Sequence, residues 1–201
     1  MIVVVEGPAA AGKTSWCRRQ VGRFVAGYAG TGTEPADGPA LARHWCRVNM
    51  RRWAQAQELE RLDGVAFCDT DPLRLHRSWG MAALGLAPRA RFDRELAVTR
   101  VAFRGGQLGL ADAVLVGLPD EPTLRQRRDD DATRRRRNFA TQVQLREPLR
   151  QWYAALDALD PGRVIWDLPA DGVPKLPAAR PERTSPDLLD ALIDALPPLR
   201  P

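Results

Sequence analysis

Lysine is almost missing from this chain: of 30 basic residues only Lys13 and Lys175 are lysine, and the rest are arginine. The formal charge is +5 and the isoelectric point about 9.7, a balance that favours encounter with anions such as nucleotides, phosphate esters or nucleic acid. Arginine bias alongside abundant Ala and Pro also reads as coding bias, so net charge selects no fold. Cysteine is scarce too. Cys17, Cys46 and Cys68 are an odd number without a CxxC pair, each inside an apolar pattern, which argues against a disulfide framework or a zinc site and for buried thiols. No stretch approaches the roughly 18 apolar residues of a membrane span. The chain runs from Met1 straight into Ile2-Val3-Val4-Val5 without a basic leader, and the expectation is a soluble cytoplasmic protein with no membrane partner.

What is present is an α/β pattern. With 201 residues, 44% of them hydrophobic, residues 1–201 suffice for one domain with a sizeable core. Short continuous apolar runs at Ile2–Val5, Val65–Cys68, Ala113–Val116 and Val164–Trp166 suit strands of a parallel sheet buried on both faces. Between them, Ala42, Cys46, Met50 and Trp53, and then Phe92, Leu96, Thr99 and Phe103, recur at helical spacing. Strands alternating with helices predict a parallel sheet with helices on both faces. Residues 28–39 are rich in Gly, Thr and Pro and read as a loop where a fifth strand would otherwise be expected. The stretch Pro122–Leu159 is helical in pattern, with a lid-like segment at about 122–140. After an irregular Pro-rich connection, Ser185 and Pro186 start a terminal helix.

The chemistry begins at Gly7-Pro8-Ala9-Ala10-Ala11-Gly12-Lys13-Thr14, followed by Ser15. G-x-x-x-x-G-K-T between a strand and a helix turns backbone amides inward around phosphates. Lys13 then reaches the β- and γ-phosphates, and the Thr14 hydroxyl is offered to Mg²⁺. Gly7, Ala9, Ala10, Ala11, Gly12, Lys13, Thr14 and Ser15 are therefore the expected nucleotide-binding set. Asp69 closes the second apolar run, where a carboxylate meets the Mg²⁺ shell or the attacking hydroxyl, although Asp is also a common turn residue. Asp71, Arg74 and His76 follow and are the expected acceptor-binding group, with Asp71 orienting the acceptor hydroxyl and His76 equally readable as a structural hydrogen-bonding residue. The segment Arg125–Arg137 suits phosphate bridging; Arg128, Arg134 and Arg136 are the selected arginines, against the alternative of a solvated helix whose Arg and Asp pair with each other. Trp45 and Trp53 read as core, whereas Trp79 and Trp152 are candidates to line an acceptor pocket.

These residues resemble the P-loop kinases of small molecules, the broad group of nucleoside, nucleotide, shikimate and chloramphenicol kinases. The resemblance rests on Gly7–Thr14, on Asp69-Thr70-Asp71 and on the arginine-rich stretch, and it implies ATP and Mg²⁺ as cofactors and a small-molecule acceptor. It carries a metal role onto Thr14 and Asp69, a catalytic role onto Lys13 and onto Asp69 or Asp71, and phosphate contacts onto the lid arginines. The Asp-Arg-[Tyr/Ser] pattern of deoxynucleoside and thymidylate kinases is missing, which leaves the acceptor open, and the lack of Asn-Lys-x-Asp argues against a GTPase. The leading expectation is transfer of the γ-phosphoryl group of ATP to a hydroxyl. Kinase action on polynucleotide ends and a slow nucleotide-binding regulatory switch are the alternatives. Oligomeric state is left open.

Overall fold

The computed structural model describes residues 1–21, 23–28, 32–130 and 139–200. In chain order the elements are β1 (Ile2–Glu6), α1 (Lys13–Gln20), α2 (Pro39–Asp63), β2 (Ala66–Asp69), α3 (Leu75–Ala83), α4 (Arg89–Arg104), β3 (Ala113–Val116), α5 (Glu121–Asp129), α6 (Phe139–Gln144), α7 (Arg146–Leu159), β4 (Val164–Ile165) and α8 (Pro186–Ala195). All strand pairs are parallel, in the order β2-β1-β3-β4, so β1 lies in the middle with Val5 opposite both Asp69 and Leu115. The expected fourth strand is shorter than its apolar run: Trp166 falls outside it and is partly exposed.

The alternation of side chains in β1 sorts the core into two layers. Ile2 and Val4 pack with Trp53, Phe92, Phe103, Trp152 and Leu189 from α2, α4, α7 and α8. Val3 and Val5 pack on the other face with Trp16 and Cys17 of α1. Helices therefore cover both faces, as continuous apolar strands require. The three cysteines are free and buried, and burial pushes the Cys17 and Cys68 thiols up to about 12. No helix among the described residues is long and apolar enough to cross a membrane.

Local signals set the helix ends. The Ser185 hydroxyl accepts from the Leu188 amide and Asp120 caps the Thr123 amide, each with Pro in the first turn. Gly64 ends α2 in the left-handed conformation. Beyond β2 the sheet gains only a one-residue bridge, Val25 to Cys68, with the Val25 amide bonded to the Phe67 carbonyl and the Asp69 amide to the Val25 carbonyl. The described residues of 28–39 form no strand, in agreement with their Gly, Thr and Pro content, so the fifth strand position is reduced to Val25.

The Pro-rich stretch ahead of α8 is fastened by buried charge. Asp112, fully buried, accepts from the Ile2 amide at 2.6 Å, the Arg180 amide at 2.8 Å and Arg183 Nη1 at 2.9 Å, and Arg183 pairs with both Glu60 oxygens at 2.7 Å. The Arg183 hydrogen bonds hold the Glu60 carboxyl down to about 2, against an ordinary 4.5. A depressed pKa contributes stability that is complete above the ordinary value and is lost as pH falls through the folded one. Glu60→Gln is expected to cost about 1–3 kcal/mol in urea unfolding at pH 7, the gap to the parent protein closing progressively between pH 4.5 and 2. A gap independent of pH would assign the stabilisation to something other than the Glu60 charge.

Candidate active site

The loop between β1 and α1 is shaped by residues at positive φ, two of them glycines that adopt it without steric cost. Gly7 has φ 154° and passes so close to the neighbouring chain that a Cβ there would lie 2.3 Å from the Gly117 carbonyl oxygen, while Ala10 (φ 70°) and Gly12 (φ 94°) complete the turn. Gly12 is the N-cap of α1 and offers no side chain to its first turn, which leaves the amide-rich, positive helix end available to an anion. Lys13 folds back and donates to the carbonyls of Gly7 at 2.6 Å and Pro8 at 3.0 Å. Ala11 is buried against Leu124 and Phe139, with Ala9 and Ala10 packed alongside, so an apolar contact joins the loop to α5 and α6. Ser15 is exposed in the first turn of α1.

Two strand ends deliver carboxylates to this loop. Asp69, the last residue of β2, accepts from the Thr14 hydroxyl at 2.5 Å, which brings together the two oxygen ligands expected for Mg²⁺. A hydroxyl and a carboxylate are hard donors of the kind that cation takes, so this pair fits it. Glu6, the last residue of β1, is buried, with one oxygen accepting from the Gly7 amide at 2.8 Å and the other from the Asp71 amide at 2.9 Å. His76 Nε2 stands 3.6 Å from that second oxygen, and burial pulls the imidazole down to about 4, leaving it neutral near pH 7.

Asp71 is placed differently from the sequence expectation. Its side chain turns into the core, accepting from the Leu73 amide at 2.9 Å and the Tyr153 hydroxyl at 3.0 Å, and burial pushes it up to about 6. It does not line the cavity described next. Strand alternation would place residues two apart on one side, but Thr70 between them has φ 75°, which breaks the extended backbone and turns Asp71 away from Asp69.

A cavity of about 590 Å³ opens from the phosphate loop, within the range of small-molecule sites. Gly7, Pro8, Ala9 and Lys13 form one end, Glu6, Tyr28 and Glu34 contribute oxygens, and Trp45, Arg74 and Arg77 form a further wall. His76 also lines it. Glu34 accepts from the Tyr28 hydroxyl at 2.8 Å. Arg74 holds a left-handed backbone (φ 58°) at the N-cap of α3 and stacks 4.0 Å over the Trp45 ring. Trp45 is thus a wall of the cavity whereas Trp79 and Trp152 are core, the reverse of the expectation for these three, while Trp53 is core as expected. Trp45 and Trp53 are eight residues apart, which turns them about 80° from each other around α2 and takes Trp45 off the core-facing stripe.

The arginine-rich segment divides. Arg125 pairs with Glu121, and Arg128 pairs with Asp129 at 2.6 Å and lies over the Phe139 ring, so Arg128 is turned to its own segment rather than to the phosphate loop. Arg127 donates to the Ala11 carbonyl at 3.1 Å and so, among the described arginines of this segment, is the one hydrogen-bonded to the loop. Arg134 and Arg136 lie outside the described residues.

Glu6, Glu34 and Arg52 carry no role in the sequence-based expectations, and Arg77 and Arg127 fall in the expected cationic stretches without being selected as site residues. Glu6 carries a legible signal, a charge ending an apolar strand immediately before Gly7. Glu34 is the first carboxylate after Glu6 in the chain, though its loop shows no periodicity to place it. Arg52 and Arg77 are ordinary members of helices until the fold turns them inward.

No protein-family model and no curated protein matches the sequence. Solved structures do match. Deoxyadenosine kinase from M. mycoides with bound dATP superposes with a TM-score of 0.54 at 12% identity, covering 84% of this chain and 91% of that one. The same enzyme with the products dCMP and a flexible dCDP gives 0.56 at 12% identity, covering 98% of this chain and 100% of that one. With bound dCTP it gives 0.52 at 12% identity, over 84% and 90%. At this identity the likeness is one of fold: together with the phosphate-loop geometry, it establishes that this chain has the α/β P-loop fold of the nucleoside kinases.

Proposed function

We propose that this protein is a kinase that transfers the γ-phosphoryl group of ATP to a hydroxyl of a small molecule. The observation that carries the reading is the continuity of the cavity, one space lined by Lys13 and Gly7, by Glu34, and by an aromatic and cationic wall. A nucleotide switch needs only the phosphate loop, whereas a second compartment is what an acceptor requires. The deoxyadenosine kinase neighbours, with dATP, dCTP or the products dCMP and dCDP bound, support a nucleoside or nucleotide ligand here.

In this reading the triphosphate lies along the loop amides and the end of α1, and Lys13 exchanges its contacts with the Gly7 and Pro8 carbonyls for β- and γ-phosphate oxygens. Thr14 and Asp69 would hold Mg²⁺, which would supply charge neutralisation at the phosphates. Arg127 adds a guanidinium where α5 meets the loop. The acceptor oxygen forms a bond to the γ-phosphorus as the bond to the β,γ-bridging oxygen breaks, ADP leaves, and the hydroxyl proton passes to a carboxylate. Glu6 is committed to two backbone amides and Asp71 to the core. Glu34, on the cavity wall and oriented by Tyr28, is the carboxylate assigned to that proton.

Lys13→Ala is expected to lower turnover by about 10²-fold or more while circular dichroism and melting stay near the parent values, since no core cavity is created. A variant with full turnover would remove the phosphate loop from the mechanism. Glu34→Gln and Asp71→Asn separate the two carboxylates. Glu34→Gln should reduce kcat by roughly 10² to 10⁴ with little change in ATP affinity, and Asp71→Asn should retain most of its turnover. Steady-state kinetics on both variants checks the assignment, and the opposite ranking would return the proton to Asp71.

A further inference from the structure

The wall of the cavity opposite the oxygens of Glu6 and Glu34 carries more positive charge than the fold uses. A second recess of about 60 Å³ shares Trp45, Arg74, Arg77 and Arg91 with the main cavity and is otherwise lined from α2, α3 and α4. The phosphate loop lines only the large cavity, so these arginines mark the end where the two join. The electrostatic inventory there is uneven. Arg91 pairs with Glu95 at 3.2 Å. Arg77 is met by Gln142, whose amide oxygen accepts from it when turned toward the guanidinium, and by no carboxylate within ion-pair distance among the described residues. Arg74 has aromatic partners, the Trp45 ring at 4.0 Å and Tyr28 at 5.4 Å, and its Nη1 is buried with no hydrogen-bond partner among the described residues. Burial, with Arg77 and Arg52 close by, pulls the Arg74 guanidinium down to about 10.

Arg52 differs from this pair because each of its three guanidinium nitrogens donates to backbone carbonyls. Arg74 and Arg77 are therefore two guanidinium groups gathered at a cavity wall with no carboxylate within ion-pair distance among the described residues, Glu95 acting on both and Glu6 on Arg77 only from farther away. Such an arrangement repels itself, and an unbonded buried donor is destabilising unless a ligand supplies the acceptor. The backbone reinforces the placement. Arg74 occupies left-handed φ without being glycine, a strained conformation that accompanies the seat of its guanidinium over Trp45.

We propose that the acceptor is itself acidic: an alcohol that carries a phosphomonoester, gripped by Arg74 and Arg77 where the recess meets the cavity, with the hydroxyl to be phosphorylated directed back toward Glu34. The inference rests on the kinase reading for the direction of the hydroxyl but on the arginine wall alone for the anion. Two guanidinium groups without a direct ion pair among the described residues match the double charge of a phosphomonoester and its several acceptor oxygens, where a carboxylate would leave one of them unmatched. The Trp45 and Tyr28 rings hold Arg74 in place from behind, so the grip is arranged before the ligand arrives.

The test is equilibrium binding by titration calorimetry on the full chain, saturated with a non-hydrolysable ATP analogue and Mg²⁺ so that phosphomonoesters cannot settle in the phosphate loop. Nucleoside 5′-monophosphates and hexose monophosphates are each compared with the parent alcohol, which distinguishes the two sources of the phosphomonoester. At least one phosphomonoester should bind about tenfold or more tightly than its alcohol, with the preference falling to near unity in Arg74→Met and in Arg77→Met while the analogue's affinity is unchanged. Arg74→Lys should retain part of it, and a melting shift with the analogue confirms that each variant is folded. Equal or weaker binding of every phosphomonoester, or a preference that survives both substitutions, overturns the proposal. Failure of the analogue to bind would instead count against the kinase reading, and arginine-dependent phosphomonoester binding measured without it would leave the anion site standing.

Discussion

A single buried guanidinium organises the strand exit beside the candidate site. Arg52, projecting from α2, donates to the carbonyls of Ala26, Asp69, Thr70 and Asp71 at 2.7–3.2 Å. Those carbonyls belong to the exit of β2 and to the segment beside it, where the sheet has run out of strand partners. Backbone acceptors left bare in a buried setting would cost about 1–3 kcal/mol each, and one planar fork of donors answers four of them. The charge is neutralised by carbonyl dipoles rather than by a carboxylate, so Asp69 keeps its side chain for Thr14.

Glu6 makes the complementary clamp from the other sign. Its two oxygens take the amides of Gly7 and Asp71, tying the start of the phosphate loop to the loop after β2 across adjacent parallel strands. Between Arg52 and Glu6 the segment from Asp69 to Arg74 is held tightly enough to keep Thr70 and Arg74 at positive φ, neither being glycine. Strain of this sort persists only where surrounding contacts over-determine the backbone. Its consequence is directional: Asp69 faces Thr14, Asp71 turns to Tyr153, and Arg74 lies across Trp45. The cavity follows from those directions rather than from any one residue.

The parts that were legible from the chain are those governed by neighbours in sequence. Ala113–Val116 is a strand with the expected bounds, Asp69 ends β2, and Ser185 caps α8, because apolar runs, strand ends and capping are local patterns. Asp71 and Arg128 illustrate the limit. Each stands at a plausible position in the chain, but whether a side chain two residues past a strand end meets a ligand or the core depends on what α7 presents to it, here Tyr153. Likewise the choice between Arg127 and Arg128 is made by the packing of Leu124 and Phe139 against the loop alanines, which rotates α5 so that Arg127 meets Ala11.

The sequence by itself determined the phosphate loop, the parallel α/β architecture and the free, buried state of the cysteines. The physical reason is that glycines at turns, strand-length apolar runs and helical periodicity act over a few residues. Only the tertiary structure decided which charges face one another. Glu6, Glu34, Arg52, Arg74 and Arg77 come from β1, from the loop ahead of α2, from α2 itself and from the start of α3, and no spacing along the chain encodes their meeting. Burial gives those charges their energy, and burial is a property of the assembled layers: the same guanidinium that would be solvated on an isolated helix is, once α2 and α3 close over the sheet edge, committed to carbonyls at Arg52 and left facing the cavity at Arg74.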